Sequence, residues 1–253
     1  MASFLKERQR ALPGSIPYVL GMFQSEVRFY REIASVVGVR VPECFAAEVT
    51  EAGTRMELED LSAWAAGADP IEVASQLREL HERWQSAAIE HWPWLRRAGA
   101  AADEIGDLYD RTWAMFAAHA SLPQGVRDLG ERLVGRIAEA ERAEATLVPH
   151  TLVHGDASTA NLRTGPRGEI AFLDWEDVRY GPGVSDLAWL LVSSVAPELW
   201  DEVIAAYGGA PDLAVAIPAA AGQGILCFSA VPADSAAAGR WVPRLVCAAS
   251  RLS

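Results

Sequence analysis

The run Leu152-Val-His-Gly-Asp-Ala-Ser-Thr-Ala-Asn161, followed by Ile170-Ala-Phe-Leu-Asp-Trp-Glu176, limits this chain more than any other stretch. Two short apolar pieces, 151–153 and 170–173, have the length and the β-branched or aromatic content of buried strands. Each leads to an acid, Asp156 just past the first and Asp174 at the tip of the second. The turn Gly165-Pro-Arg-Gly168 between them is expected to bring the second piece back beside the first. Paired in that way, Asp156, Asn161 and Asp174 gather at one end of a small sheet. Oxygen donors of this kind suit Mg²⁺, which takes one or two carboxylates plus substrate phosphates in preference to a full protein cage. A carboxylate left off the metal can accept a proton from an attacking hydroxyl.

Phosphoryl transfer asks for little more: a positioned acceptor, a base, and metal to neutralise phosphate charge. The protein-kinase catalytic loop H-R-D-x-x-x-x-N, with a metal-binding D-F-G acid downstream, has this form. His154-Gly-Asp156 and Asn161 keep the Asp-to-Asn offset, with Gly155 in place of the arginine and Trp175-Glu176 in place of Phe-Gly. H-G-D-x-x-x-x-N followed by a hydrophobic strand and D-W-E resembles the aminoglycoside phosphotransferase and choline kinase family, kinase-fold enzymes that phosphorylate small-molecule hydroxyls. The resemblance implies that Asp156 is the catalytic base and that Asn161 and Asp174 hold Mg²⁺. It implies that Glu176 supports a second metal, and that His154 and Asp186 (in Asp186-Leu-Ala) support the catalytic loop.

It extends upstream. Glu26-Val-Arg-Phe-Tyr30 and Val41-Pro42 match the family's run of a helix with Glu-x-x-Phe-Tyr and a following proline. Lys6 and Glu26 are then the candidates for the ion pair that orients the nucleotide's α- and β-phosphates. Met56-Glu-Leu-Glu-Asp-Leu61 resembles the hinge between lobes, where backbone groups of Leu58, Glu59 and Asp60 would bind adenine. One departure stands out: five residues precede Lys6, so the family's first two strands and phosphate-covering loop are expected to be missing. No Gly-rich stretch elsewhere replaces that loop.

A length of 253 residues allows one large domain or two modest ones. The net charge of −12 argues against nucleic acid or an anionic membrane as partner. Cys44, Cys227 and Cys247 are widely spaced with no C-x-x-C, so buried free thiols are expected, with neither zinc nor a disulfide framework. Without an apolar run of signal or membrane length, the expected location is cytoplasmic.

Along the chain, apolar residues at three- and four-residue steps predict one amphipathic helix over 20–37. A hairpin is predicted over 45–58, and the lobe boundary falls in the small-residue stretch 62–70. Pro70 opens a helix in which His81 is expected to be packed and hydrogen-bonded. His91-Trp-Pro-Trp94 reads as an aromatic loop. Helices are predicted over 101–119 and 126–145, and Asp103, Glu104, Asp107 and Asp110 read as a solvated face. A helix begins near Val184 with Ser185 or Asp186 as its cap. Alanine-rich helices follow, with breaks expected at Gly208-Gly209, Pro218 and Pro232-Ala-Asp234.

The expected fold is α+β and kinase-like with two lobes: an incomplete small nucleotide lobe over 1–62 and a mostly helical lobe over 63–253. The expected activity is ATP- and Mg²⁺-dependent phosphorylation of a small-molecule hydroxyl. The rival reading is a degenerate, non-catalytic binding protein without the phosphate loop. A third is metal-dependent phosphate hydrolysis.

Overall fold

The computed structural model describes residues 2–118, 122–231 and 235–252. The chain opens with strand β1 (Ser3–Gln9), a short helix α1 (Ile16–Val19) and helix α2 (Met22–Arg28), which runs into a π-helical turn at Phe29–Ile33. Strands β2 (Cys44–Val49) and β3 (Gly53–Glu59) form the predicted hairpin, and β1 pairs antiparallel with the other edge of β3. The π-turn has a consequence for packing. It rotates the apolar stripe by one residue, so Phe29 is buried together with Val27, Tyr30 and Ile33.

A two-residue strand β4 (Ala65–Ala66) then leads to helix α3 (Pro70–Trp84). The Asp69 side chain caps α3 by accepting from the Ile71 N–H at 2.9 Å, and Pro70 sits in the first turn, where its missing N–H costs nothing. Val73, Ala74, Leu77 and Leu80 form its buried face. Next come α4 (Ala88–His91), β5 (Arg96–Arg97), α5 (Ala102–Phe116), α6 (Gln124–Leu133) and α7 (Ile137–Glu144). In the predicted aromatic loop Trp92 is buried against Trp84, with ring centroids 4.6 Å apart. The predicted end of α5 at His119 lies outside the described residues. The single helix expected over 126–145 is two helices. Gly135 adopts φ +69° between them, a conformation that suits glycine, and its N–H bonds Asp110 Oδ1 at 3.0 Å.

The motif segment contains β6 (His150–Val153), β7 (Leu162–Thr164), β8 (Ile170–Phe172) and β9 (Arg179–Pro182). Here the expected pairing is wrong. β6 pairs with β9, and β8 pairs with β7 across the Gly165–Gly168 turn. β7 is nearer to β8 in sequence than β6 is, so the β7–β8 loop is the shorter one to close, whereas β6 reaches past β8 to pair with β9. Phe172 N–H also bonds Arg40 O at 2.8 Å, which ties β8 to the segment between α2 and β2.

Helices α8 (Val184–Ser194), α9 (Trp200–Ala206), α10 (Leu213–Ser229) and α11 (Ala236–Ser250) complete the chain. Gly183, not Ser185 or Asp186, stands at the cap position of α8, because both side chains have buried partners elsewhere. Pro218 does not break α10: it lies inside the helix, beside the buried Ile217, Ala219, Ala220 and Ala221, whose burial outweighs the lost backbone bond. The expected break at Pro232-Ala-Asp234 lies outside the described residues. The cysteines are free, but none is fully buried and Cys227 is exposed. Among the described residues, no helix is long and apolar enough to cross a membrane.

Candidate active site

The motif acids meet despite the different strand pairing. β6 delivers His154, Gly155 and Asp156, and the Asp156 carboxylate is held by Trp189, Ser158 and Asn161. Trp189 Nε1 donates to Oδ1 at 2.6 Å and Asn161 Nδ2 donates to Oδ2 at 2.7 Å. Burial pushes the Asp156 pKa up to about 6, against the pull of these hydrogen bonds toward the ionised form. Asn161 thus spends its N–H on Asp156, and its Oδ1, the atom a cation would use, has no partner among the described residues.

Asp174 follows β8 with φ +59°, the left-handed region that non-glycine residues rarely adopt. This turn brings its Oδ1 to 2.8 Å from Lys6 Nζ, which also donates to Glu26 Oε1 at 2.7 Å. Lys6 comes from β1 and Glu26 from α2, so three distant segments meet on one ammonium. Burial alone would lower the Lys6 pKa, but the charges of Glu26 and Asp174 more than offset it and hold it above the ordinary value. Burial pushes Glu26 up to about 7, with Lys6 opposing. Glu176 accepts an ion pair from Arg8 Nη2 at 3.0 Å, and Arg8 also lies 3.9 Å from Asp174.

Beneath the acids, Asp186 holds the loop. It is fully buried and accepts from the backbone N–H groups of His154 and Gly155, each at 2.8 Å. His81 Nε2 lies 3.1 Å from its Oδ2, and Tyr207 Oη lies 2.8 Å from His81 Nδ1. Burial acts to raise the Asp186 pKa, but the His81 hydrogen bond and neighbouring positive charge keep it below the usual carboxylate range. His154 is also buried, and desolvation lowers its pKa, so the ring is neutral. Its Nδ1 accepts the Asp156 N–H at 3.1 Å, which leaves Nε2–H to donate to Leu173 O at 3.0 Å. One imidazole therefore joins the Asp156 loop to the residue before Asp174.

Gly155 could not be the arginine of the protein-kinase loop. Its φ is +87°, and a Cβ there would lie 2.5 Å from Asp177 O. The space is taken by Asp177, which pairs with both Arg96 and Arg179.

Two cavities meet at this centre. One, of about 300 Å³, is lined by Lys6, Glu26, Asn161, Asp174 and Leu58, Glu59 and Asp60, the stretch expected to be the hinge. The other, of about 150 Å³, is lined by Asp156, Glu176 and an apolar wall including Leu20, Ile105 and Leu226. A cleft of about 360 Å³ beside Arg132 and Pro218 is larger, but holds none of the motif residues. At the hinge, the Glu59 N–H already bonds Glu43 O and the Asp60 N–H bonds Ala2 O. The donor left without a partner among the described residues is the Leu61 N–H, one step beyond the predicted stretch.

The donor set fits a hard divalent cation. Glu26, Asp174 and Glu176 each bring an oxygen within 4.8 Å of the others, and the Asn161 amide oxygen adds a neutral ligand of the kind Mg²⁺ accepts. Sequence reading singled out neither Trp189 nor Arg8 nor Tyr207. For the first two a signal existed. Trp189 stands three residues after Asp186 on the same helix face, and Arg8 stands two after Lys6 on the same strand face. Tyr207, beyond α9, had none.

Fold and centre together have the kinase-like architecture of a phosphotransferase. The sequence agrees: a family model described as the phosphotransferase enzyme family matches residues 16–221, and the chain belongs to that family. A search of the curated proteins found no match. Solved structures are similar in fold. A choline kinase from Streptococcus pneumoniae is 16% identical with a TM-score of 0.59, the match covering 98% of this chain and 86% of that one. An aminoglycoside phosphotransferase from Streptomyces rimosus, solved with ADP and streptomycin, is 19% identical with a TM-score of 0.55, covering 81% and 82%. A macrolide 2'-phosphotransferase from Brachybacterium faecium is 18% identical with a TM-score of 0.53, covering 98% and 83%.

Proposed function

We propose that this protein transfers the γ-phosphoryl group of ATP to a hydroxyl group of a small molecule, with Mg²⁺ as the metal. The observation that carries the reading is that two cavities lie on either side of one hydrogen-bonded pair of motif residues. Asp174 and Asn161 line the larger, Asp156 lines the smaller, and the 2.7 Å bond from Asn161 to Asp156 joins them. A nucleotide in the larger cavity would place its base at the Leu61 N–H and its phosphates at Lys6. An acceptor in the smaller would bring its hydroxyl to Asp156. Structures of similar fold have been solved with AMP and with ADP and streptomycin, which supports a nucleotide and a small-molecule acceptor as the two ligands.

The roles follow from the geometry. Lys6, fixed between Glu26 and Asp174, would draw the α- and β-phosphates into line. Asp156, its carboxylate fixed by Trp189 and Asn161, would orient the acceptor hydroxyl and take its proton, a modest demand in a loose transition state. Asp174 and Asn161 would hold the divalent cation, which when bound neutralises charge on the phosphates.

Calorimetry with Mg²⁺ and ATP on the wild type and on Asp174→Ala tests the nucleotide half. Binding in the first and its loss in the second is the expected result. A phosphate-transfer screen over amino sugars, choline-like amines, simple sugars and macrolides, followed by ³¹P NMR, tests the rest. ATP consumed equally with and without acceptor would replace transfer by hydrolysis. No ATP binding at millimolar concentration would end the catalytic reading.

A further inference from the structure

The acids of this centre already hold two cations of the chain's own. β1 alternates faces, so Lys6 and Arg8 point to the same side while Glu7 lies exposed and pairs with Arg55. Lys6 occupies the space between Glu26 and Asp174. Arg8 occupies the space beside Glu176, its Nη2 3.0 Å from Glu176 Oε2 and 3.9 Å from Asp174 Oδ1. The guanidinium is also held over the Phe23 ring, 5.0 Å from the centroid. The guanidinium is thus held by charge and by the Phe23 ring, while Glu176 Oε2 is itself buried without a hydrogen-bond partner.

Building on the proposed function, we infer that the Arg8 guanidinium stands in for a second divalent cation, so that the nucleotide complex binds one metal ion per chain. A second ion on Glu176 would share that carboxylate with a guanidinium about 3 Å away. Two cations sharing one carboxylate in a partly buried site repel each other. Asp174 and Asn161 remain for the single ion, since Asn161 Oδ1 has no partner among the described residues. Arg8 also has a donor to spare. Its Nε is buried without a hydrogen-bond partner, which suits a phosphate oxygen of the nucleotide.

The experiment counts bound Mn²⁺ by electron paramagnetic resonance, with saturating adenylyl imidodiphosphate as a non-hydrolysable nucleotide. One ion per wild-type chain is expected, and two in Arg8→Met at the same free Mn²⁺. Restoring one ion in the Arg8→Met, Glu176→Gln double variant would place the added ion on Glu176. Arg8→Gln is the second single variant should Arg8→Met not fold. Two ions in the wild type, or one ion in both single variants, would overturn the inference and leave the phosphotransferase reading standing. No ion and no nucleotide bound in the wild type would overturn both.

Discussion

The pKa of Asp156 suits the base proposed here, and the reason lies in its burial and in three donors. Burial raises it to about 6, and hydrogen bonds from Trp189, Ser158 and Asn161 restrain the rise by favouring the ionised form. Activity should therefore rise with pH through about 6 as the carboxylate loses its proton. Trp189→Phe removes a donor to the charged form, so the pKa climbs and the acid limb moves to higher pH. A pH–rate profile checks this, and a limb that stays in place would refute the role given to Trp189. Asp156→Asn should lower kcat by about 10²–10⁴-fold with nucleotide affinity intact, as loss of a general base does. Gly155→Ala would force a Cβ to 2.5 Å from Asp177 O at φ +87°. A urea melt should show a loss of roughly 1–3 kcal/mol.

Elements place these residues, and the elements were unequally legible in the sequence. The hairpin β2–β3 and helix α3 were readable because two strand-length runs about a turn, and Pro70 at a helix start, are local signals. The acids, and Lys6 with Glu26, were readable because spacing along a motif survives a change of strand partner. The pairing itself was not: each strand of the motif segment has only three or four residues, and β9 reads Arg-Tyr-Gly-Pro, with no apolar run. The bend at Gly135 was hidden because apolar spacing continues across it. The link between α3 and α8 was half visible, since His81 was expected to be hydrogen-bonded but its partners were not named. Asp186→Asn should show what that link does. An amide cannot accept on both sides as the carboxylate does for His154 N–H, Gly155 N–H and His81. Denaturant unfolding should show a loss of about 1–3 kcal/mol, and kcat should fall more than nucleotide affinity. Unchanged kcat in a folded variant would make Asp186 a fold residue only.

At the scale of the whole molecule, the site sits where the small sheet meets the helical body. Phe29 of the π-turn stacks on Trp175 at 4.2 Å, Arg40 bonds β8, and Lys6 reaches Asp174. Nucleotide bound there would fasten the two parts together. At one hundred times Kd, ligand adds about 2.7 kcal/mol, which for a chain of this size raises Tm by roughly 5–11 °C. Thermal melts with Mg²⁺ and ADP should show that shift in the wild type and none in Asp174→Ala. Equal shifts in both would place nucleotide binding away from this centre.

The reach from Lys6 to Asp174 also sets an order of events during synthesis. The two residues are 168 positions apart. At about 5–20 residues per second on the ribosome, Asp174 is made roughly 8–34 s after Lys6. The partners β1 needs for pairing and for Glu26 are made long before. The small sheet can form on the nascent chain with Lys6 already bound to its first acid, and the second acid arrives last. The newborn protein would thus bring Lys6 to its second acid only late in synthesis.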